Sequence, residues 1–189
     1  LAALGKRMTL VTSGHALADD QNVRPFAGYL VGFELCMPSA DPEVSKLAFG
    51  ADIFEPLEAG MRNLKAFAYR FSVTVPVYRD NVHTMADTVL HLGRAYTLRQ
   101  VRVEVFNPPG GPTPWVHRYP AYSAVAEQLL AIERDGFKPK PRVELAGVPA
   151  GQIPLEQFEQ LDVVVDPAPR PGGDITSPPA AYIEQHGRP

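Results

Sequence analysis

Between Phe67 and Phe106 the spacing of apolar residues changes period twice. From Phe67 to Val77 the odd positions Phe67, Tyr69, Phe71, Val73, Val75 and Val77 are aromatic or β-branched. The even positions carry Ala68, Arg70, Ser72, Thr74 and Pro76. A period of two over this length predicts a strand buried on one face. Asp80 then stands as an N-cap, Val82, Met85, Val89 and Leu92 fall on one helical stripe, and Gly93 occupies a C′ position, which predicts a helix over 80–93. From Leu98 the alternation returns, with Val101, Val103 and Val105 on one side and Gln100, Arg102 and Glu104 on the other. If the two strands are parallel, the crossover between them is right-handed.

The flanking chain supplies shorter elements. Met8–Thr12 and Tyr29–Met37 read as strands, the second pairing with the first or with the edge of the main sheet. Asp41, Pro42 and Gly50 bracket a short helix. Leu57, Met61 and Leu64 give a turn or two of helix that Pro56 and Gly60 interrupt. Beyond Phe106, Asn107–Pro114 is a stiff Pro/Gly reversal. Trp115–Tyr119 follows as a strand, Tyr122, Val125, Leu129 and Ile132 as a helix ending at Gly136, and Arg142–Ala146 as a further strand. Residues 154–161 suggest a short helix and Leu161–Val165 a last strand.

Read in order, residues 67–146 give strand, helix, strand, strand, helix, strand. That order predicts an α+β, ferredoxin-like (split βαβ) sheet with two helices packed on one face. Pro76 removes a backbone donor from a central strand, so it has to lie near that strand's end. The expected layout is one α+β domain over 1–165 with its core at 67–146 and an N-terminal β extension. Residues 166–189 then form an extended Pro/Gly-rich C-terminal arm.

Composition narrows the partners. The 189 residues suffice for one full core, and 20 prolines are about twice the usual share. A net charge of −3 gives no long-range attraction to nucleic acid or to anionic membrane, and no apolar run reaches the length of a membrane span. Neither partner is expected, and the composition and single cysteine fit a cytoplasmic site of synthesis. Cys36 is alone, which excludes an intrachain disulfide and a multi-cysteine metal site within this sequence.

Candidate chemistry is sparse. His83, Asp87 and His91 recur at i, i+4 and i+8, on one helical face opposite the apolar stripe. Structural zinc sites usually carry four ligands, so this face reads as a solvated surface without a metal. Ser13, His15, Asp19 and Asp20 put serine, histidine and acid in one loop, but a triad is built from separately oriented elements, and a polar surface loop is the simpler reading. No hydrolase elbow, paired-histidine zinc motif, P-loop or dinucleotide fingerprint occurs. Trp115, His117 and Tyr119 alternate along one strand and could form a stacking platform, on a face that also carries Arg70 and Arg102 if the register allows it.

Ser13, Gly14, Leu17, Asp19 and the run Gly32-Phe33-Glu34-Leu35 resemble the opening of the suppressor-of-fused domain. That resemblance implies an α/β partner-binding module of the cytoplasm, and it covers roughly a tenth of the chain. The remaining features favour a non-catalytic assembly subunit without cofactor: a component of a larger particle such as a phage head, neck or tail, destined for the virion. Its partners would be copies of itself or other subunits. Ile175, Tyr182 and Ile183 in the arm, together with Trp115 and Tyr119, are the expected partner-binding residues. A hydrolase or metal enzyme built on His15 or on the His83 and His91 face is the catalytic alternative.

Overall fold

The computed structural model describes residues 8–166 apart from 28, 30, 106–118 and 150. The strands are β1 (Met8–Thr12), β2 (Val31–Cys36), β3 (Arg70–Val77), β4 (Gln100–Val105), β5 (Arg142–Ala146) and β6 (Val163–Asp166). They form one sheet in the order β1-β2-β3-β4-β5-β6, and every neighbouring pair is parallel. The helices are α1 (Pro42–Phe49), α2 (Phe54–Ala66), α3 (Met85–Tyr96) and α4 (Tyr122–Arg134).

This architecture overturns the ferredoxin-like split βαβ expectation. A split βαβ needs an antiparallel strand between β4 and α4, the place expected of Trp115–Tyr119. Trp115 lies outside the described residues, and Tyr119 belongs to no strand. The chain instead crosses from β4 over α4 to β5, which adds parallel at β4's far edge. The Tyr29–Met37 segment is likewise an internal strand, paired on both sides. Alternation records which face is buried and carries no information about strand direction, so it predicts the strands while leaving their pairing open.

Sequential order in a parallel sheet has a consequence for layering. Right-handed crossovers between successive neighbours all deposit their helices on the same face. The burial agrees. Phe33, Leu35, Val73, Val75, Val101, Val103, Val143 and Leu145 share one core with Leu57, Met61 and Leu64 of α2, Val89 and Leu92 of α3, and Val125, Leu129 and Ile132 of α4. Each fully buried Leu, Met or Val contributes roughly 1.5–3 kcal/mol to that layer. The other strand face carries Glu34, Cys36, Arg70, Thr74, Arg102, Glu104 and Glu144. All-parallel sheets are usually apolar on both faces, so this charged face is where the fold departs from packing alone.

Local chemistry sets the element ends. Asp41 caps α1 by accepting from the backbone N–H of Glu43 and Val44 at 2.9 and 3.1 Å, and Gly50 closes it with φ 69°. α2 runs through both Pro56 and Gly60, the residues expected to interrupt it. Gly60 is required there, because a Cβ would collide with the carbonyl oxygen of Gly14. Gly93 does not stop α3 either. The helix continues to Tyr96, and the missing side chain lets Phe137 and Pro141 approach to within 3.0 and 3.2 Å of where a Cβ would sit. At its start, Thr84 rather than Asp80 takes the cap position, after a 3₁₀ turn over Val82–Thr84. Residues 154–161 contain only a 3₁₀ turn, Leu155–Gln157. Pro76 sits one residue before the end of β3, where its missing donor is tolerated.

Candidate functional site

The strand register assembles the charged face from residues far apart in sequence. Cys36 lies beside Thr74, Thr74 beside Arg102, and Arg102 beside Glu144, one row across four strands. The next row toward the strand C-termini is Pro76, Glu104, Ala146 and Asp166. Arg102 is the centre of the arrangement. Its side chain is 8% exposed, and its Nη1 donates to Glu144 Oε1 and, at 3.2 Å, to Asp166 Oδ2. Gln100 Nε2 donates to the other Glu144 oxygen at 2.7 Å, and Thr74 Oγ1 donates to Glu34 Oε1 at 3.3 Å. A guanidinium removed from water needs such compensation, and two carboxylates on neighbouring strands supply it.

Cys36 belongs to the same face. Burial, followed by the negative charges of Glu104 and Glu34, pushes its thiol up to about 12. It is therefore a protonated thiol at neutral pH and a poor nucleophile or metal ligand.

Above this face, the loops leaving β2 and β3 are locked by Asn81. Its Nδ2 donates to the carbonyls of Pro38 and Pro76, both at 2.8 Å, and its Oδ1 accepts from Tyr78 N–H at 2.7 Å. Ser39 Oγ donates to Thr84 Oγ1 at 2.9 Å, and Thr84 Oγ1 in turn donates to Asn81 O. In parallel α/β folds ligands gather at the strand C-termini, and these hydrogen bonds hold that rim in place. At the opposite, N-terminal ends of β3 and β4 an open cleft of about 730 Å³ extends from Lys65, Arg70 and Arg99 up to Arg102.

The sequence-derived candidates fare unevenly. Ser13 Oγ and His15 Nδ1 share a hydrogen bond of 2.7 Å at the C-terminal end of β1. The acids of that loop are engaged elsewhere: Asp19 accepts from Gln21 N–H, and Asp20 pairs with Arg24 at 2.6 Å. His83, Asp87 and His91 do not share one helix, since α3 begins at Met85 and His83 lies in the preceding turn. No group of three potential metal ligands occurs among the described residues. His91 faces α2, where its Nε2 is 2.9 Å from Glu58 Oε1, and Tyr96 OH donates to Glu58 Oε2 at 2.5 Å. Burial opposes ionisation of Glu58, but the hydrogen bonds from His91 and Tyr96 and the charges of His91 and Arg62 outweigh it, holding the carboxyl below its usual range. Burial, with the Glu58 hydrogen bond and charge, raises the Tyr96 hydroxyl. This trio ties α2 to α3.

Arg70 and Arg102 do share a strand face, as the alternation required. The stacking platform cannot be placed: Trp115 and His117 lie outside the described residues, as do Ile175, Tyr182, Ile183 and the rest of the arm beyond Asp166, whereas Tyr119 is described and partly buried. Glu144, Asp166, Glu58 and Asn81 were missed. Glu144 alone carried a signal, since Arg142-Val-Glu-Leu-Ala146 repeats the alternation of Arg102-Val-Glu104.

Comparison with known proteins bears on the fold. No family model matches the chain, and no curated protein does, so the suppressor-of-fused resemblance gains no support. Among solved structures, a radical SAM methyltransferase from Sphaerobacter thermophilus matches with TM-score 0.51 and 16% identity, over 74% of this chain and 40% of that one. The fold resembles that of a radical SAM methyltransferase. A second structure, native anSMEcpe with bound AdoMet, matches with TM-score 0.47 and 13% identity over 66% of this chain and 35% of the other. The chain thus spans about two fifths or less of each of these two structures. A likeness to an enzyme fold replaces the expected phage structural subunit, and nothing in the fold supports a virion component. No helix among the described residues is long and apolar enough to cross a membrane.

The fold likeness raises the question of an iron–sulfur cluster, and the donor set answers it for this chain. Such clusters are held by several cysteine thiolates. The chain has one cysteine, and that thiol sits protonated between Glu34 and Glu104. The residues present do not fit a cluster.

Proposed function

We propose that this chain is the ligand-binding α/β module of an enzyme, and that its ligand is a small zwitterionic molecule lying on the charged strand face. The observation that carries this reading is the nearly buried Arg102, held by Glu144 and Asp166 on the face opposite the helices. Charges in the middle of a parallel sheet stabilise it less than an apolar layer would, so their presence here points to recognition rather than packing. Carboxylates and a guanidinium side by side match a molecule that carries an ammonium or sulfonium together with a carboxylate.

S-adenosylmethionine, the molecule in the name of the S. thermophilus methyltransferase, belongs to this class and is the first ligand to test. Titration calorimetry on the purified chain should show saturable binding, weakened at least tenfold in Glu104→Gln. Absence of binding at millimolar concentration, or equal affinity in that variant, would remove the basis for this reading.

A further inference from the structure

Two successive loops at the strand N-termini are built alike. After α2 the chain passes through Ala68 at φ 57°, then Tyr69, then Arg70. After α3 it passes through Thr97 at φ 58°, then Leu98, then Arg99. These are the two non-glycine residues with positive φ among those described, and a β-branched residue in that region is a true outlier. Glycine is the usual choice at such a helix exit, so each loop holds strained backbone just ahead of an arginine. Strain of this kind gathers where ligands bind.

Both arginines line the cleft of about 730 Å³, a size typical of small-molecule sites. Its lining includes four cationic side chains, Lys65, Arg70, Arg99 and Arg102, against two carboxylates, Glu34 and Glu144, in a chain whose net charge is −3. The carboxylates are already engaged, Glu144 by Arg102 and Gln100 and Glu34 by Thr74. The side chains of Arg70 and Arg99 form no hydrogen bond or ion pair with any described residue. The C-terminal dipoles of α2 and α3 disfavour an anion here. Lys65 offsets part of this by donating its Nζ to the Ala95 carbonyl at 2.9 Å. Tyr69 and Leu98 also line the cleft and pack against the core on their other side.

We infer that this cleft is a second binding site, which takes a phosphate dianion between Arg70 and Arg99. It adjoins the zwitterion site at Arg102 and Glu144, which line the cleft, and differs from it in resting on Arg70 and Arg99. Guanidinium forks suit phosphate oxygens, and two of them match the charge of a dianion. The phosphate could be free or the end of a monoester, in which case the ester group lies against Tyr69.

Calorimetry with inorganic phosphate and with phenyl phosphate separates these sources. Tighter binding of phenyl phosphate, with inorganic phosphate competing, assigns a monoester; equal binding assigns free phosphate. Arg70→Gln and Arg99→Gln should each weaken both probes by about tenfold or more, while Arg134→Gln, an exposed change on α4, should leave them unchanged. Both cleft arginines are exposed, so the variants should fold, which circular dichroism verifies. No binding of either probe at millimolar concentration, or equal weakening by Arg134→Gln, overturns the site. Binding of S-adenosylmethionine is read separately through Glu104→Gln, which lies outside the cleft lining, so either reading can fail without the other.

Discussion

Replacing Arg102 with methionine isolates what the charged face contributes. The side chain loses its charge but keeps most of its length, so packing changes little while Glu144 and Asp166 lose their common partner. Removing one member of a fully buried ion pair costs about 3–5 kcal/mol. Glu144 and Asp166 are 20% and 27% exposed at their side chains, and solvent screening lowers the expected loss to roughly 2–3 kcal/mol at pH 7. The pH dependence is the sharper test. In the variant, Glu144 and Asp166 are left as like charges on neighbouring strands without the guanidinium between them. Acidification weakens that repulsion, so the deficit against the parent should shrink at pH 5. Urea titrations at both pH values measure it, and Arg102→Met/Glu144→Gln should recover part of the loss. A variant within about 0.5 kcal/mol of the parent at pH 7, or a deficit that grows on acidification, would show that the ion network is not what holds this face.

Other contacts give further tests. Gly60→Ala should cost roughly 1–3 kcal/mol in denaturant titration, because the added Cβ meets the Gly14 carbonyl and one of the two segments has to move. Thr97→Gly should stabilise by about 1 kcal/mol by relieving its left-handed backbone, seen as a higher melting temperature. Glu58 is held below its unfolded pKa, so the stability it contributes is present above about pH 4.5 and lost as pH falls through its lowered folded value. Glu58→Gln should accordingly flatten the acid limb of the stability profile. Asn81→Ala should lower stability by roughly 2–4 kcal/mol by leaving buried groups at Pro38, Pro76 and Tyr78 unpaired.

What could be read from the sequence follows the range of the physics involved. The α1 cap is local: Asp41, Pro42 and Gly50 act on backbone within a few residues, and all three take their expected places. The alternation in β3 and β4 is also local, and it placed Val101, Val103 and Val105 in the core and Arg102 on the opposite face. Gly60 and Gly93 misled because their reason is a contact with Gly14 or Phe137, more than forty residues away. Glu58 sits within an unremarkable helical stretch, and only the approach of His91 and Tyr96 from α3 gives it meaning. The direction of each strand was the largest gap, and it decided the fold. Once every strand is parallel and sequential, all helices fall on one face, and the even-numbered residues of β2 to β5 become a single surface.

That surface separates fold from chemistry. A likeness at 16% identity concerns the arrangement of strands and helices, which fixes where the C-terminal edge and the open strand face lie but not what they carry. On this chain the face carries one thiol, pushed up to about 12 by burial and by Glu104 and Glu34. A cluster needs the reverse environment, in which cationic or metal neighbours stabilise several thiolates. The acids that suppress the Cys36 thiolate would instead favour an ammonium or sulfonium placed against them, as Glu144 and Asp166 already favour the Arg102 guanidinium. The charge pattern thus selects for a cationic group on the ligand and against a metal bound through Cys36. Cys36→Ser should therefore leave binding of S-adenosylmethionine within about threefold of the parent, whereas Glu104→Gln should not.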